Sequence, residues 1–560
     1  MVGVDPTPHF AGSLRAGVTR SGIIDCWYRP YPFFIRSQRD RLSDIRAYRL
    51  ENLYNGCYGF LSGMADSPIE GHSGRMKFKD LRDFITFLEN KGELRRITTP
   101  VSWDLEISEI SDRMVKLGGP ALLFENVTGH DIPVLINMYG SEKRMAWALG
   151  VEHLDELVDR FQGLLGLIHG PPEGLLNKMR TLGQLVHLGS FQPKTVSRAP
   201  CQEVVLKDGD VDLFQLPIIK CWPMDGGRYI TLPLVISRDP ETGIQNYGTY
   251  RMQVFDSKTT GMHWQTHKVG TRHYRINQEK GITRMDVAVA LGGDPATIWT
   301  GSAPLPPDMD EMAVAGFIRE DGVDLVKAQT SDLLVPAQSE IVLEGYVVPG
   351  EERVEGPFGD HTGYYSMEDE YPVFHVECIT RRRNPIYPAI IVGRPPMEDY
   401  WMGKVTERLF LPAIKLILPE VVDINMPAEG IFHNLVLVSI KKEYPGQARK
   451  VMHGLWGLGL MSLAKIIIVV DHFVDVQNPS ELAWRVANNI DPSRDIMITS
   501  GPLDDLDVAS STPKFGGKVG IDATQKGPEE GRQREWPPDI IMSQEIKDLV
   551  DGKWQDYGIQ

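Results

Sequence analysis

Cysteine is scarce: Cys26, Cys57, Cys201, Cys221 and Cys378 are spread over 560 residues with no CxxC pair. That spacing supplies neither a disulfide framework nor a structural zinc site, and it points to a reducing, cytoplasmic compartment. A Gly-rich phosphate fingerprint, a GxSxG elbow and an HExxH helix are also missing, so the chemistry has to be read from looser sets of residues. There is no internal repeat and no low-complexity tract. The most apolar run, "HGLWGLGLMSLAKIIIVV" (453–470), is interrupted by Lys465 and three glycines, so no transmembrane helix is expected. Positive charge is in short supply: 59 Lys and Arg face 75 Asp and Glu, a formal net charge of -16. Neutralising phosphates needs a concentrated basic face, so a general nucleic-acid surface is excluded while a local basic pocket is not. Lysine is absent from the first 75 residues, which hold nine arginines and seven acids. Those acids and scattered prolines fit targeting signals poorly. Residues 1–75 are expected to be a weakly ordered extension, or an upstream start assigned to a chain that functionally begins at Met76.

What is present divides into three patterns, as expected for a soluble globular chain too long for one core. From 76 to 195 the reading is mixed α/β. In "FKDLRDFITFLENKG", Leu81, Phe84, Ile85 and Leu88 recur at helical spacing with Gly92 as the cap. A strand ("LRRIT"), a helix ("DLEISEISDRMVKLGG"), extended runs ("ALLFENV", "PVLINMY") and helical patterns over about 141–188 follow, and "QPKTVSRAPCQ" reads as a linker. From 196 to 395, "PLVISRD", "YRMQVFD", "DVAVALG", "EIVLEGYVV", "VFHVECIT" and "AIIVG" read as strands of a barrel or strongly curved sheet. From 396 to 560, "HNLVLVSI", "KIIIVVDHF" and "DIMITSG" alternate with helices, predicting a βαβαβ unit.

Three polar groups stand out in the β region: Asn246 in "QNYGTYR", His267 in "HWQTHK" and Glu311 in "DMDEMA". An amide oxygen, an imidazole and a carboxylate suit a divalent ion such as Mn²⁺ or Mg²⁺. Equally, the Asn serves as a turn former and the Glu as support for a helix start. His263 and His267, four apart, are a competing two-histidine site or simply a solvated strand edge. Arg251 lies five residues after Asn246, an odd separation that sends the two side chains to opposite faces of a regular strand unless Gly248 permits a bulge. Its guanidinium can fix a carboxylate in two-pronged fashion, on a substrate or in a structural ion pair. In "EGPFGDHTGYY" (355–365), glycines and a proline present Glu355 and Asp360 from a stiff loop. Arg251 lowering one pKa while burial raises the other would split them into a charged member and a proton donor; an ordinary acidic turn is the alternative.

These elements, with "KFKDLRDFITFLENKGELRRIT", "GGPALLFENV", "NYGTYRMQV", "LGGDPATIWTG", "IVLEGYV", "VGRPP" and "GIDAT...QREW", stand in the order and spacing of the UbiD family, decarboxylases that use prenylated flavin mononucleotide. The resemblance covers roughly 76–556. It implies an α/β N-terminal domain, a flavin-reductase-type split β-barrel and a C-terminal α/β oligomerisation domain, assembled as a homodimer or hexamer. It implies that Asn246, His267 and Glu311 bind Mn²⁺ on the cofactor phosphate, with Tyr250 and Arg251 also at the cofactor, and K⁺ held by Glu311 with carbonyls near Tyr247 and in 300–303. Arg251, Glu355 and Asp360 become the catalytic triad, Glu355 holding Arg251 and the second acid protonating the carbon that loses CO₂; many members carry Glu where this chain has Asp360. The branch it resembles most acts on 3-polyprenyl-4-hydroxybenzoate in ubiquinone biosynthesis, with the cofactor supplied by a flavin prenyltransferase. A prenyl tail implies an apolar groove, beside "GRPPMEDYWMGK" (393–404), and peripheral contact with the inner face of the cell membrane. The rivals are a related enzyme for a smaller aromatic or acrylic acid, a flavin-binding protein without turnover, and a metal-dependent hydrolase using His263 and His267.

Overall fold

The computed structural model describes residues 76–168, 189–266, 268–305 and 309–558. The arginine-rich segment 1–75, the end of the 141–188 helical stretch and His267 lie outside the described residues. Helix α1 (Leu81–Asn90) is capped by the Asp80 side chain, which accepts from the backbone N–H of Arg82 and Asp83. Its predicted stripe of Leu81, Phe84, Ile85 and Leu88 is buried, each worth about 1.5–3 kcal/mol relative to exposure. Gly92, at φ +74°, takes the chain out of the helix. Then come β1 (Leu94–Ile97), α2 (Glu106–Lys116), β2 (Ala121–Phe124) and β3 (Val134–Ile136). The fourth strand of this sheet, Tyr387–Pro388, arrives from far down the chain and pairs parallel with β3. The predicted strand "AIIVG" is therefore not part of the central sheet: the ladder stops at Pro388, and Ala389 bonds back to Leu135.

The central sheet contains β4 (Leu234–Arg238), β5 (Gln245–Gly248), β6 (Thr259–Gly261), β7 (Met285–Leu291), β8 (Ile341–Glu355) and β9 (Asp369–Arg381), with α3 (Glu311–Arg319) between β7 and β8. Its order is β6-β9-β8-β7-β4-β5, open at both ends as in a split barrel, with Val204–Lys207 added against β9. The long hairpin β8–β9 is bent where its register shifts, and at one shift Gly345 lies so close to the His375 carbonyl that a Cβ would sit 1.8 Å from it. In β9, Phe374, Val376 and Cys378 are buried while Glu377 faces solvent, as the alternation predicts. Two expectations differ from the structure. "YRMQVFD" contributes only Met252–Gln253, which pair with Tyr229–Ile230 in a separate ribbon. The 192–202 linker contains Lys194–Val196, a strand parallel to Asp324–Lys327.

The last part begins with α4 (Glu398–Ile417) and β10 (Val421–Asn425), then β11 (Leu435–Ile440), α5 (Gln447–Trp456), β12 (Ile466–Asp471), α6 (Pro479–Asn489), β13 (Ile496–Pro502) and β14 (Phe515–Asp522). The sheet order is β10-β11-β12-β14-β13. β11 and β12 are the predicted parallel pair, but the next parallel strand is β14; β13 runs antiparallel to it as an edge. Asn478 caps α6 by accepting from Glu481 N–H, with Pro479 in the first turn. Among the described residues, no helix is long and apolar enough to cross a membrane.

Candidate active site

Arg251 reaches the expected acids because the chain leaves regular strand geometry after Gly248, where a Cβ would meet the Tyr250 ring at 2.4–2.6 Å. The predicted face conflict is thus resolved by a break between β5 and Met252–Gln253, not by a bulge. Arg251 Nε donates to Glu355 Oε1 at 2.9 Å, one terminal nitrogen donates to Asp360 Oδ2, and the other donates to Ser366 Oγ at 3.0 Å. Its guanidinium lies over the Phe358 ring, 4.5 Å from the centroid. Glu355 and Asp360 are only 1% and 5% exposed.

The loop carrying the acids is anchored from below. Gly356 N–H donates to Gln253 Oε1, Gly226 N–H to the Pro357 carbonyl and Gly359 N–H to Asp225 Oδ1, each at 2.8 Å. Gly359 is backed by the Trp222 ring, which a Cβ would approach to 2.2 Å. The glycine at 359 therefore admits an indole of this same chain.

The charges differ from the predicted split. Burial alone would raise Glu355, but His263 and Arg251 hold it below the usual carboxylate range. Burial of Asp360 is likewise outweighed, by Arg251 and His361, and its carboxyl is held well below that range. Both acids are charged around one guanidinium, so neither is a standing proton donor. His263, which the sequence offered only as a metal-site rival, has Nδ1 3.0 Å from Glu355 Oε1 and its ring 4.3 Å from that of Tyr371.

Asn246 and Glu311 also meet. The end of the Asn246 side-chain amide lies 3.0 Å from Glu311 Oε1, and Glu311 Oε2 accepts from Tyr247 N–H at 3.2 Å. The Tyr250 hydroxyl, 3.5 Å from that amide, accepts from Gly270 N–H, so one residue spans the step from this pair to Arg251. Burial pushes the Glu311 carboxyl up to about 7. A dry carboxylate beside an amide, with no salt bridge among the described residues, is a donor set that fits a hard divalent cation. Among the described residues no three His, Cys, Asp or Glu side chains cluster as a metal site.

A cavity of about 500 Å³, within the range of small-molecule sites, opens beside Arg251 and His263. Arg251, His263, Trp264 and Ser366 form one wall, and the loop 505–514 between β13 and β14 forms another. His263 Nε2 and the Trp264 indole nitrogen are buried without a hydrogen-bond partner, which fits a polar occupant. Sequence reasoning missed Asp225, Gln253 and Trp222, whose "CWPMDGG" and "RMQ" contexts read as turn and strand. It also passed over His361, although this lies inside the motif.

Comparison with known proteins decides the family. Profiles of the 3-octaprenyl-4-hydroxybenzoate carboxy-lyase N-terminal domain, Rift-related domain and C-terminal domain match residues 85–161, 194–395 and 400–523. The chain belongs to the UbiD family. By that membership it is a carboxy-lyase. A relative, an uncharacterized protein of Archaeoglobus fulgidus, is 53% identical over 482 residues, 86% of this chain and 99% of its own. The vanillic acid decarboxylase of Sedimentibacter hydroxybenzoicus in closed form is 29% identical, with a TM-score of 0.75 over 85% of this chain and 99% of that one. HmfF from Pelotomaculum thermopropionicum in complex with FMN is 28% identical, with a TM-score of 0.69 over 82% and 98%; an evolved dimeric form of it is in complex with prFMN.

Proposed function

We propose that this UbiD-family protein decarboxylates an aromatic carboxylic acid with prenylated FMN held through Mn²⁺, with 3-polyprenyl-4-hydroxybenzoate as the first candidate substrate and 2-polyprenylphenol as product. The observation that carries this reading is one guanidinium on the wall of a cavity, held by two buried carboxylates. Asn246, His267 and Glu311 would hold the metal, Tyr250 and Arg251 the cofactor, and K⁺ would sit at carbonyls near Tyr247 and residues 300–303. When bound, the modified flavin supplies the sink for the electron pair left by departing CO₂.

The chain's own groups do the rest. Arg251 offsets the charge of the incoming carboxylate, and Glu355 with Ser366 fixes its plane. The buried wall excludes water while the carbon is reactive. Asp360 delivers a proton to the carbon that lost CO₂. A carrier without turnover would need no such charged trio. The hydrolase reading is disfavoured because His263 is turned to Glu355.

One observation favours the second reading, a smaller and more polar aromatic acid: Glu368, Asp369, Glu370, Asp505 and Asp507 all line the cavity, a poor bed for a polyprenyl tail. The α4 start, where an apolar groove was expected, packs against the first sheet instead, Glu398 accepting from Asn137 N–H at 2.8 Å and Tyr139 N–H at 3.0 Å. The test is co-production with a flavin prenyltransferase, absorption and metal analysis, then CO₂ release from prenylated and unprenylated 4-hydroxybenzoate. Turnover of neither, nor of other aromatic acids, by flavin-loaded protein would sink the proposal. The same preparation reports homo-oligomer size and, by sedimentation with vesicles, peripheral membrane contact.

A further inference from the structure

Arg251 and His361 hold the buried Asp360 carboxyl well below the usual carboxylate range, so a decarboxylase that uses it as the acid needs a route for the proton. The route is visible next to it. His361 Nδ1 lies 2.9 Å from Asp360 Oδ1, the oxygen not engaged by Arg251, and the same oxygen accepts from His361 N–H at 2.7 Å. The Asp360 side chain is 7% exposed, that of His361 20%. The imidazole is therefore the group that meets both the buried acid and water.

We propose that His361 is a positioning and proton-relay residue that stores the proton consumed in each turnover and loads it onto Asp360. This rests on the decarboxylase reading above. The balance is R–COO⁻ + H⁺ → R–H + CO₂: the imidazolium gives its Nδ1 proton to Asp360 Oδ1, Asp360 gives a proton to the carbon whose bond to CO₂ broke, and water recharges the imidazole.

The surroundings fit a reservoir. Besides Asp360 on its own loop, Asp399 at the start of α4 and Asp504 just after β13 face the ring, while Arg251 acts on it through Asp360. His433 Nε2 lies 3.3 Å from Asp504 Oδ2, and the Lys268 charge acts on Asp504 and Asp505. The Phe432 ring, 5.2 Å away, covers one side of the imidazole. Burial lowers the His361 pKa, but the three carboxylates outweigh it and raise it above the ordinary value. The charged form is thus favoured below that raised value and lost as pH climbs through it.

Two variants separate relay from scaffold. H361N keeps a donor toward Asp360 but cannot carry the proton; H361F removes both. Flavin-loaded wild type and variants are compared for CO₂ release from the better of prenylated and unprenylated 4-hydroxybenzoate, with pH profiles and melting curves, and the imidazole is titrated by NMR in flavin-free protein. The relay predicts kcat down at least ~10-fold in both variants with KM little changed, loss of the wild-type alkaline limb, and a His361 titration above the ordinary ~6.5. H361N turning over like wild type, or a His361 titration at or below ~6.5, overturns it. Wild type that binds flavin yet releases no CO₂ from any aromatic acid sinks the decarboxylase reading instead, and leaves the NMR result to judge the charge of His361.

Discussion

At the scale of single residues, the site depends on one cation balanced between two anions. E355Q and D360N are each expected to cut CO₂ release by at least ~10²-fold while the flavin absorption stays, because neither side chain is among the proposed phosphate or metal ligands; flavin lost from both would reassign their role to binding. Gly359 gives a second residue-scale prediction. The Trp222 ring at its back cannot yield, since its indole N–H donates to the Val392 carbonyl at 2.8 Å. G359A should therefore lower stability by ~1–3 kcal/mol in denaturant melts and depress turnover, by tilting the loop that carries Asp360. Metal binding is tested on Glu311: Mn²⁺ at about 100 times its Kd should stabilise the wild type by ~2.7 kcal/mol, and E311Q should lose that gain.

At the scale of elements, α4 carries a pH-dependent joint. Glu398 is fully buried against the backbone of Asn137 and Tyr139, and burial pushes its carboxyl up to about 7. With the folded value above the ordinary 4.5, the stability tied to its protonation is complete at low pH and declines as pH rises through 7. The loss is on the order of 3 kcal/mol at most. Denaturant midpoints from pH 5 to 8 should fall more steeply for the wild type than for E398Q; parallel slopes would dismiss the joint. The same scale shows what the sequence makes legible. α1 and α6 are plain because periodicity and caps are local, and the hairpin β8–β9 because its inward positions alternate. β13 and "AIIVG" mislead because an apolar run names a strand but not its neighbour: β13 pairs with β14 through a hairpin, and Tyr387–Pro388 joins β3 across some 250 positions. Within the site, Arg251, Glu355 and Asp360 were legible from their motifs and the structure brings them together, as it does Asn246 and Glu311, two of the three residues set out as a metal site. Asp225 and Gln253 were not, because their work is to receive backbone N–H groups from a loop more than a hundred residues away.

At the scale of the molecule, the cavity lies between the central β region and the loop that joins β13 to β14. Lys514 Nζ donates to Thr266 Oγ1 at 2.6 Å across its rim, and His361 takes charge from both α4 and the segment after β13. A K514A change should leave the fold intact and raise KM more than it lowers kcat, measurable in the CO₂ assay, if this rim contact shapes the opening.

The late return of Tyr387–Pro388 to the first sheet has a consequence for synthesis. A nascent chain that has emerged only as far as the end of the first unit presents β3 with a bare edge, open to pairing with other chains, until nearly two hundred further residues are made. Fragments ending near residue 195 should therefore aggregate, whereas those reaching beyond residue 395 can close the sheet.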